Sequence, residues 1–110
     1  MGPTRTHTRN RRKHSRALLE RRVQYYCNSR LFTARAVNIS EGGLRLEGTG
    51  SVRVGDELKL FVPLSHSPRG KMCLLVGQVV WSDGARAGVS FVDPPLETIL
   101  DVRGFVRMAA

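Results

Sequence analysis

The sequence predicts a small, mostly-β domain: about six short strands forming a closed or partly open barrel, one C-terminal helix, and a flexible basic N-terminal arm. Three observations predict it. Apolar residues recur at alternate positions in short runs, as in Leu58, Leu60 and Val62 or Ala87, Val89 and Phe91. Turn-forming residues separate those runs, and the chain has 11 glycines to supply the breaks. Long helical patterns are scarce, the clearest being the last stretch of the chain. At 110 residues, the chain has the length of one domain with one modest core.

The elements follow in order. Residues 1–10 are polar and aperiodic, which predicts a disordered tail. Residues 11–16 are too charged for a core, and with residues 17–110 they make up the domain proper. Ala17, Leu19, Val23, Tyr25 and Cys27 share one parity and suit a strand, although Arg21 interrupts the series. A short helix over 15–22, capped by Ser15, is the alternative. Asn28-Ser29-Arg30 reads as a turn, residues 31–40 as the second strand and residues 44–47 as the third, where Leu44 and Leu46 alternate with Arg45 and Glu47.

Residues 48–55 carry three glycines and read as a loop; the strand over 57–63 ends at Pro63. Residues 64–71 form a second loop, the most mobile part of the body. A long strand over 72–82 contains Gly77, a natural place for a bend. Asp83-Gly84 signals a hairpin into residues 86–92, and Asp93-Pro94-Pro95 stops the sheet. Leu96, Ile99, Leu100 and Arg103 then fall on one helical spacing, with Val102, Phe105 and Val106 adjoining, so a helix spans about 96–108. Gly104 costs that helix about 1 kcal/mol against Ala, so the helix depends on packing.

Charge is concentrated at one end. Residues 1–22 hold eight Lys/Arg against Glu20, a net +7; the total is +9, so the rest of the chain contributes only +2. A basic arm on a nearly balanced body points to a phosphate-bearing partner. Cys27 and Cys73 lie in apolar runs and read as small buried hydrophobes, not a disulfide framework. No metal-ligand spacing links them to His7, His14 or His66. With neither an apolar signal core nor a run long enough to span a bilayer, a cytoplasmic protein without membrane insertion is expected.

Two clusters carry the candidate chemistry. The first is Arg11-Arg12-Lys13-His14-Ser15-Arg16. A guanidinium is planar, permanently charged, and presents a fork of donors that matches phosphate oxygens or the O6/N7 edge of guanine. The second is Asn38-Ile39-Ser40-Glu41-Gly42-Gly43, where Asn38 and Ser40 share a strand face and Val37 and Ile39 share the other. Asn38 can meet the remaining edge of guanine, and Ser40 adds a small donor and acceptor. The glycines permit a positive-φ turn or a close backbone approach, and a side chain at Gly43 would obstruct a flat ligand. Read blandly, the first cluster is a solvated basic tail and the second a hairpin corner. Trp81 reads as core or a barrel lid, with base stacking as its other use, and His66 as a solvated loop residue. No acid pair or nucleophile–base pair is spaced for catalysis, so no enzyme is expected.

Arg12-Lys13-His14-Ser15-Arg16 matches RxxxR and Asn38-Ile39-Ser40-Glu41-Gly42-Gly43 matches [D/N]xSxxG, in that order and about one strand pair apart. Together they resemble the two signature motifs of the PilZ domain family. Val54-Gly55-Asp56, Val79-Val80-Trp81 and Gly88-Val89-Ser90-Phe91 extend the resemblance over roughly residues 11–107. The resemblance implies a six-stranded antiparallel barrel with a C-terminal helix that binds the bacterial second messenger cyclic di-GMP. Arg12 and Arg16 would clamp phosphates and guanine edges, Asn38 and Ser40 would hydrogen-bond the ligand, and Gly43 would keep the turn compact. Asn38 in place of Asp loses a charge. Arg11, directly before RxxxR, is where family members that take two intercalated ligand molecules tend to carry arginine. The resemblance also implies an adaptor read by an unidentified protein partner. A nucleic-acid-binding module using the basic arm is the alternative, weakened by the lack of aromatics in residues 1–16. A protein-interaction domain without ligand is another.

Overall fold

The computed structural model describes residues 15–64 and 72–109. The arm residues Arg11 and Arg12, the tail 1–10 and most of the expected loop over 64–71 lie outside the described residues. The strands are β1 (Ala17–Cys27), β2 (Arg30–Ser40), β3 (Gly43–Glu47), β4 (Glu57–Pro63), β5 (Met72–Ser82) and β6 (Arg86–Phe91), and helix α1 spans Leu96–Ala109. All neighbouring strands are antiparallel, and they close in the order β1-β2-β3-β6-β5-β4, with β4 returning to β1. The first segment is thus a strand, not the alternative helix.

Each strand sends alternate side chains inward. Leu19, Val23, Tyr25, Ile39, Leu44, Leu46, Leu58, Leu60, Val62, Leu75, Val79 and Val89 fill the barrel. Burying such side chains is worth about 1.5–3 kcal/mol each, and it fixes the register, because a one-residue slip would expose a whole face. Both cysteines are buried and unbridged. Burial pushes the Cys27 thiol up, and the nearby Asp56 carboxylate adds to this. The β1–β2 hairpin turns through Asn28 and Ser29, both at positive φ (53° and 67°), the geometry that matches strand twist. Asp83 folds the β5–β6 hairpin by accepting the backbone N–H groups of Ala85 (3.1 Å) and Arg86 (2.7 Å).

Three irregularities interrupt the ladders, and they are where expectation and structure part. On β1 the register shifts between Leu18 and Arg21, with Glu20 at φ 47°. On β2 one extra residue, Val37, lies between the pairs Ala36–Leu46 and Asn38–Arg45. On β5 the extra residue is Val80, between Val79–Val89 and Trp81–Gly88. The bend expected at Gly77 is absent there: Gly77 pairs regularly with both Leu58 and Phe91. Trp81 is not core either. Unbroken alternation from Val79 would point it inward, but the bulge at Val80 turns it outward, and it is 41% exposed.

Helix α1 starts where Pro95 offers its carbonyl to Ile99 N–H (3.0 Å). Val102, Phe105 and Val106 form its buried stripe, and it packs on β1 and β2. Leu96 and Leu100, which share a helical spacing in the sequence, face away from the barrel. Among the described residues no helix is long and apolar enough to cross a membrane.

Candidate functional site

The bulge at Val37 determines what β2 displays. Ala34 and Ala36 point inward; after the extra residue Ile39 does so instead, and Asn38 moves to the outer side. The bulge at Val80 does the same for Trp81. Register places both residues in one row across four strands: Asn38 opposite Arg45, Arg45 opposite Gly88, Gly88 opposite Trp81. Leu18 extends the row beyond Asn38 on β1. One outward-facing strip therefore carries an amide, a guanidinium, a backbone step and an indole.

Arg16 lies just before β1 and donates from its guanidinium to Asn38 Oδ1 at 3.0 Å. The two sequence motifs, 22 positions apart at these residues, are thus in direct contact. Ser40 is 6% exposed, and its hydroxyl serves the turn: it accepts the Gly42 N–H at 3.2 Å and reaches the Gly43 carbonyl at 3.5 Å. Ser40 thus holds the corner between β2 and β3.

Gly43 does not have a left-handed φ. Instead, a Cβ there would sit 2.0 Å from the backbone oxygen of Val89. The close approach that requires glycine is between β3 and β6. This pins the turn against its neighbour, as does the hydrogen bond from Phe91 N–H to Gly42 O (2.9 Å).

Glu41, the residue between Ser40 and Gly42, reaches the helix. Arg103 Nε and Nη2 each donate to one of its carboxylate oxygens at 3.0 Å, a bidentate pair. These bonds and the Glu41 charge raise the pKa of the Arg103 guanidinium further. Sequence reasoning missed this contact, because nothing local links residues 62 positions apart.

Two more residues complete the strip: Arg45, which the sequence did not single out as a ligand group, and Trp81, for which it left base stacking as a second use. Arg45 Nε is buried and has no hydrogen-bond partner among the described residues, and one terminal nitrogen lies 3.6 Å from Glu47. An orphaned guanidinium donor beside Asn38 is costly unless something supplies an acceptor. The Trp81 indole lies over Gly88, with its Nε1 2.0 Å from where a Cβ would be. Gly88 is thus the recess in which the ring rests. The alternation of Arg45 with Leu44 and Leu46 was a usable signal for its outward direction; nothing comparable marked Trp81.

Of the sequence-predicted site residues, the structure brings Arg16, Asn38, Ser40 and Gly43 to one end of the β1–β2–β3 surface. A family model described as the PilZ domain matches residues 10–107. No curated protein sequence matches the chain. Among solved structures, the chain is similar to the inhibitor of motility MotI/DgrA of Bacillus subtilis (TM-score 0.73, 17% identity, 88% of this chain and 50% of that one). It is also similar to the PilZ domain of YcgR from Escherichia coli with c-di-GMP (TM-score 0.70, 15% identity, 90% and 91%). A third is the PlzA protein of Borreliella burgdorferi in complex with c-di-GMP (TM-score 0.64, 14% identity, 94% and 44%). The chain spans about half the length of MotI/DgrA. At these identities the structural likeness speaks to the fold, which is the barrel-plus-helix described above. With the match to the family model over residues 10–107, it follows that this chain belongs to the PilZ domain family.

Proposed function

We propose that this domain is a receptor for cyclic di-GMP that acts by binding, not catalysis, and that the ligand lies along the Asn38–Arg45–Gly88–Trp81 strip beneath the arginine arm. The observation that carries the reading is the strip itself. It places in one row hydrogen-bonding groups for a purine edge, a guanidinium donor without a partner among the described residues and an exposed aromatic platform, with Arg16 already bonded at its end. Relatives of the same family have been solved with this ligand.

Arg16 donates one N–H to Asn38, and its planar guanidinium has the fork geometry that matches phosphate or the guanine O6/N7 edge. Arg12 and Arg11 complete the clamp, and with Arg11 present the domain takes two intercalated ligand molecules. Asn38 meets the Watson–Crick edge of a guanine, Ser40 and Gly43 hold the turn below it, and Trp81 stacks a base. Fixing residues 11–16 over the barrel costs roughly 6–12 kcal/mol. Three charge-assisted contacts contribute roughly 4.5–9 kcal/mol, and each stacked base contributes about 1–3 kcal/mol. The terms nearly cancel, so the arm ahead of Arg16, which is itself already bonded to Asn38, closes over the barrel only when ligand is present. This is the switch: an altered surface, read in the cytoplasm by a partner protein.

Titration calorimetry with cyclic di-GMP, GTP and a short DNA duplex tests the reading. Cyclic di-GMP should bind with a shallow salt dependence, GTP weakly, and Arg16→Ala should abolish useful affinity. Tight DNA binding that falls steeply with salt would instead identify a nucleic-acid module. Unchanged cyclic di-GMP affinity in Arg16→Ala would overturn the proposal.

A further inference from the structure

Beside the proposed ligand strip runs a line of alternating charges. It starts at Glu20, in the β1 bulge, whose carboxylate lies 3.1 Å from Arg35 Nη1. Arg35 on β2 donates from Nη2 to Oε1 of Glu47, its register partner on β3. The other oxygen of Glu47, Oε2, lies 3.6 Å from Nη2 of Arg45, two residues back on the same strand face. Arg35 therefore touches two carboxylates. Arg45, which belongs to the strip, has one ion pair too long to be a hydrogen bond, and a buried Nε with no acceptor among the described residues. Arg86, opposite Glu47 on β6, is paired with Asp83.

We propose that Glu47 competes with the ligand for Arg45 and thereby sets how tightly the strip binds, an inference that rests on the cyclic di-GMP site proposed above. Glu47 lies one step along β3 from the Asn38–Arg45–Gly88 row, so its carboxylate draws the Arg45 guanidinium off the strip. In that pose Arg45 gains one weak, half-exposed ion pair and leaves a donor unsatisfied. A phosphate of the ligand supplies both a charge and the missing acceptor, so Arg45 turns to it. Glu47 remains neutralised when Arg45 leaves, because Arg35 is bonded to it and Glu20 holds Arg35 from the other side. Arg35 thus weakens the competitor by occupying it. The two residues should act in opposite directions: Glu47 lowers affinity and Arg35 raises it. Residues that merely support β2 and β3 would both lower affinity when replaced.

Two measurements on the full chain test this, one without ligand. In ligand-free protein, Glu47→Gln should shift the NMR signal of the Arg45 Nε–H and speed its exchange with water, because the guanidinium is released. By titration calorimetry with cyclic di-GMP, Glu47→Gln should tighten binding about threefold, and Arg35→Gln should weaken it by a similar factor. In an Arg45→Gln background, Glu47→Gln should leave affinity within about twofold, which separates competition for Arg45 from the general loss of a negative charge. Weaker binding in Glu47→Gln, an equal gain with and without Arg45, or an Arg45 signal untouched by Glu47→Gln would overturn the proposal. A native chain that fails to bind cyclic di-GMP would overturn the site itself, and the competition with it, whatever the Arg45 signal does.

Discussion

Glu41 and Arg103, 62 positions apart in the chain, are joined by two hydrogen bonds of 3.0 Å each. This pair ties the β2–β3 turn, which bounds the proposed ligand strip, to the middle of α1. It gives the turn and helix a common support, and a ligand pressing on the turn has a direct route to the helix. Arg103→Ala should therefore speed amide exchange in α1 around residues 102–106 while leaving the β4–β5 ladder unchanged. Measured by hydrogen exchange, equal protection in α1 of the variant would show that the apolar stripe alone holds the helix.

The Arg16–Asn38 contact makes a graded prediction. Asn38→Ala removes both the acceptor for Arg16 and the proposed guanine contact, and should weaken cyclic di-GMP binding by at least about tenfold, or about 1.4 kcal/mol. Asn38→Asp keeps an acceptor for Arg16 and adds a charge that suits it, so its affinity should remain within a few-fold of native. Calorimetry on the two variants checks the order; if Asp were as damaging as Ala, Asn38 would have to act through its amide N–H groups instead.

Trp81 is the sole tryptophan of the chain, so its fluorescence reports on its own surroundings. Ligand binding should change that signal. Trp81→Ala should cost about 1–3 kcal/mol of affinity if one base stacks there. Gly88→Ala should act similarly without touching any polar group, because the new Cβ would occupy the indole's place and force the ring aside. Intact affinity in both variants would remove the strip beyond Arg45 from the site.

The strands were legible because alternation is a strong local signal: Leu58, Leu60 and Val62, or Leu44 and Leu46, admit one orientation once a core exists. What alternation conceals is an added residue. Val37 and Val80 are both β-formers that fit a strand on either side, so nothing in the sequence marks them as bulges. Hence Trp81 reads first as core or a barrel lid, with base stacking second. The same blindness hid the continuity of the site. Asn38, Arg45, Gly88 and Trp81 lie on four strands, and only the register of a closed barrel puts them in line. Arg16 and Asn38 were legible as a pair through the two family motifs, not through any local periodicity.

Gly43 makes a prediction about the fold independent of ligand. Its missing Cβ would collide with the Val89 carbonyl, which belongs to the β3–β6 ladder and cannot rotate away. Gly43→Ala should lower stability by about 1–3 kcal/mol, as overpacking does in a well-filled core. The urea midpoint of unfolding measures it. A midpoint equal to native would mean that β3 and β6 can separate locally without loss.

The β5–β6 hairpin supplies a pH dependence. The Asp83 carboxylate accepts the backbone N–H groups of Arg86 and Ala85 and pairs with the Arg86 side chain, and these contacts hold its pKa below the ordinary 3.8. A carboxyl whose folded pKa is lowered contributes stability that is fully present above the unfolded value. That contribution is lost as pH falls through the folded value. The hairpin should thus be fully supported at neutral pH and lose this support only below about pH 4. Asp83→Asn keeps an oxygen to accept the backbone N–H groups but discards the charge. It should be less stable than native at pH 7 and converge on native in strong acid. Because Trp81 stands just before this hairpin, the same titration followed by tryptophan fluorescence should show the acid transition in native protein and a flattened one in Asp83→Asn. A native-like acid transition in Asp83→Asn would show that the lowered carboxyl does not govern the hairpin.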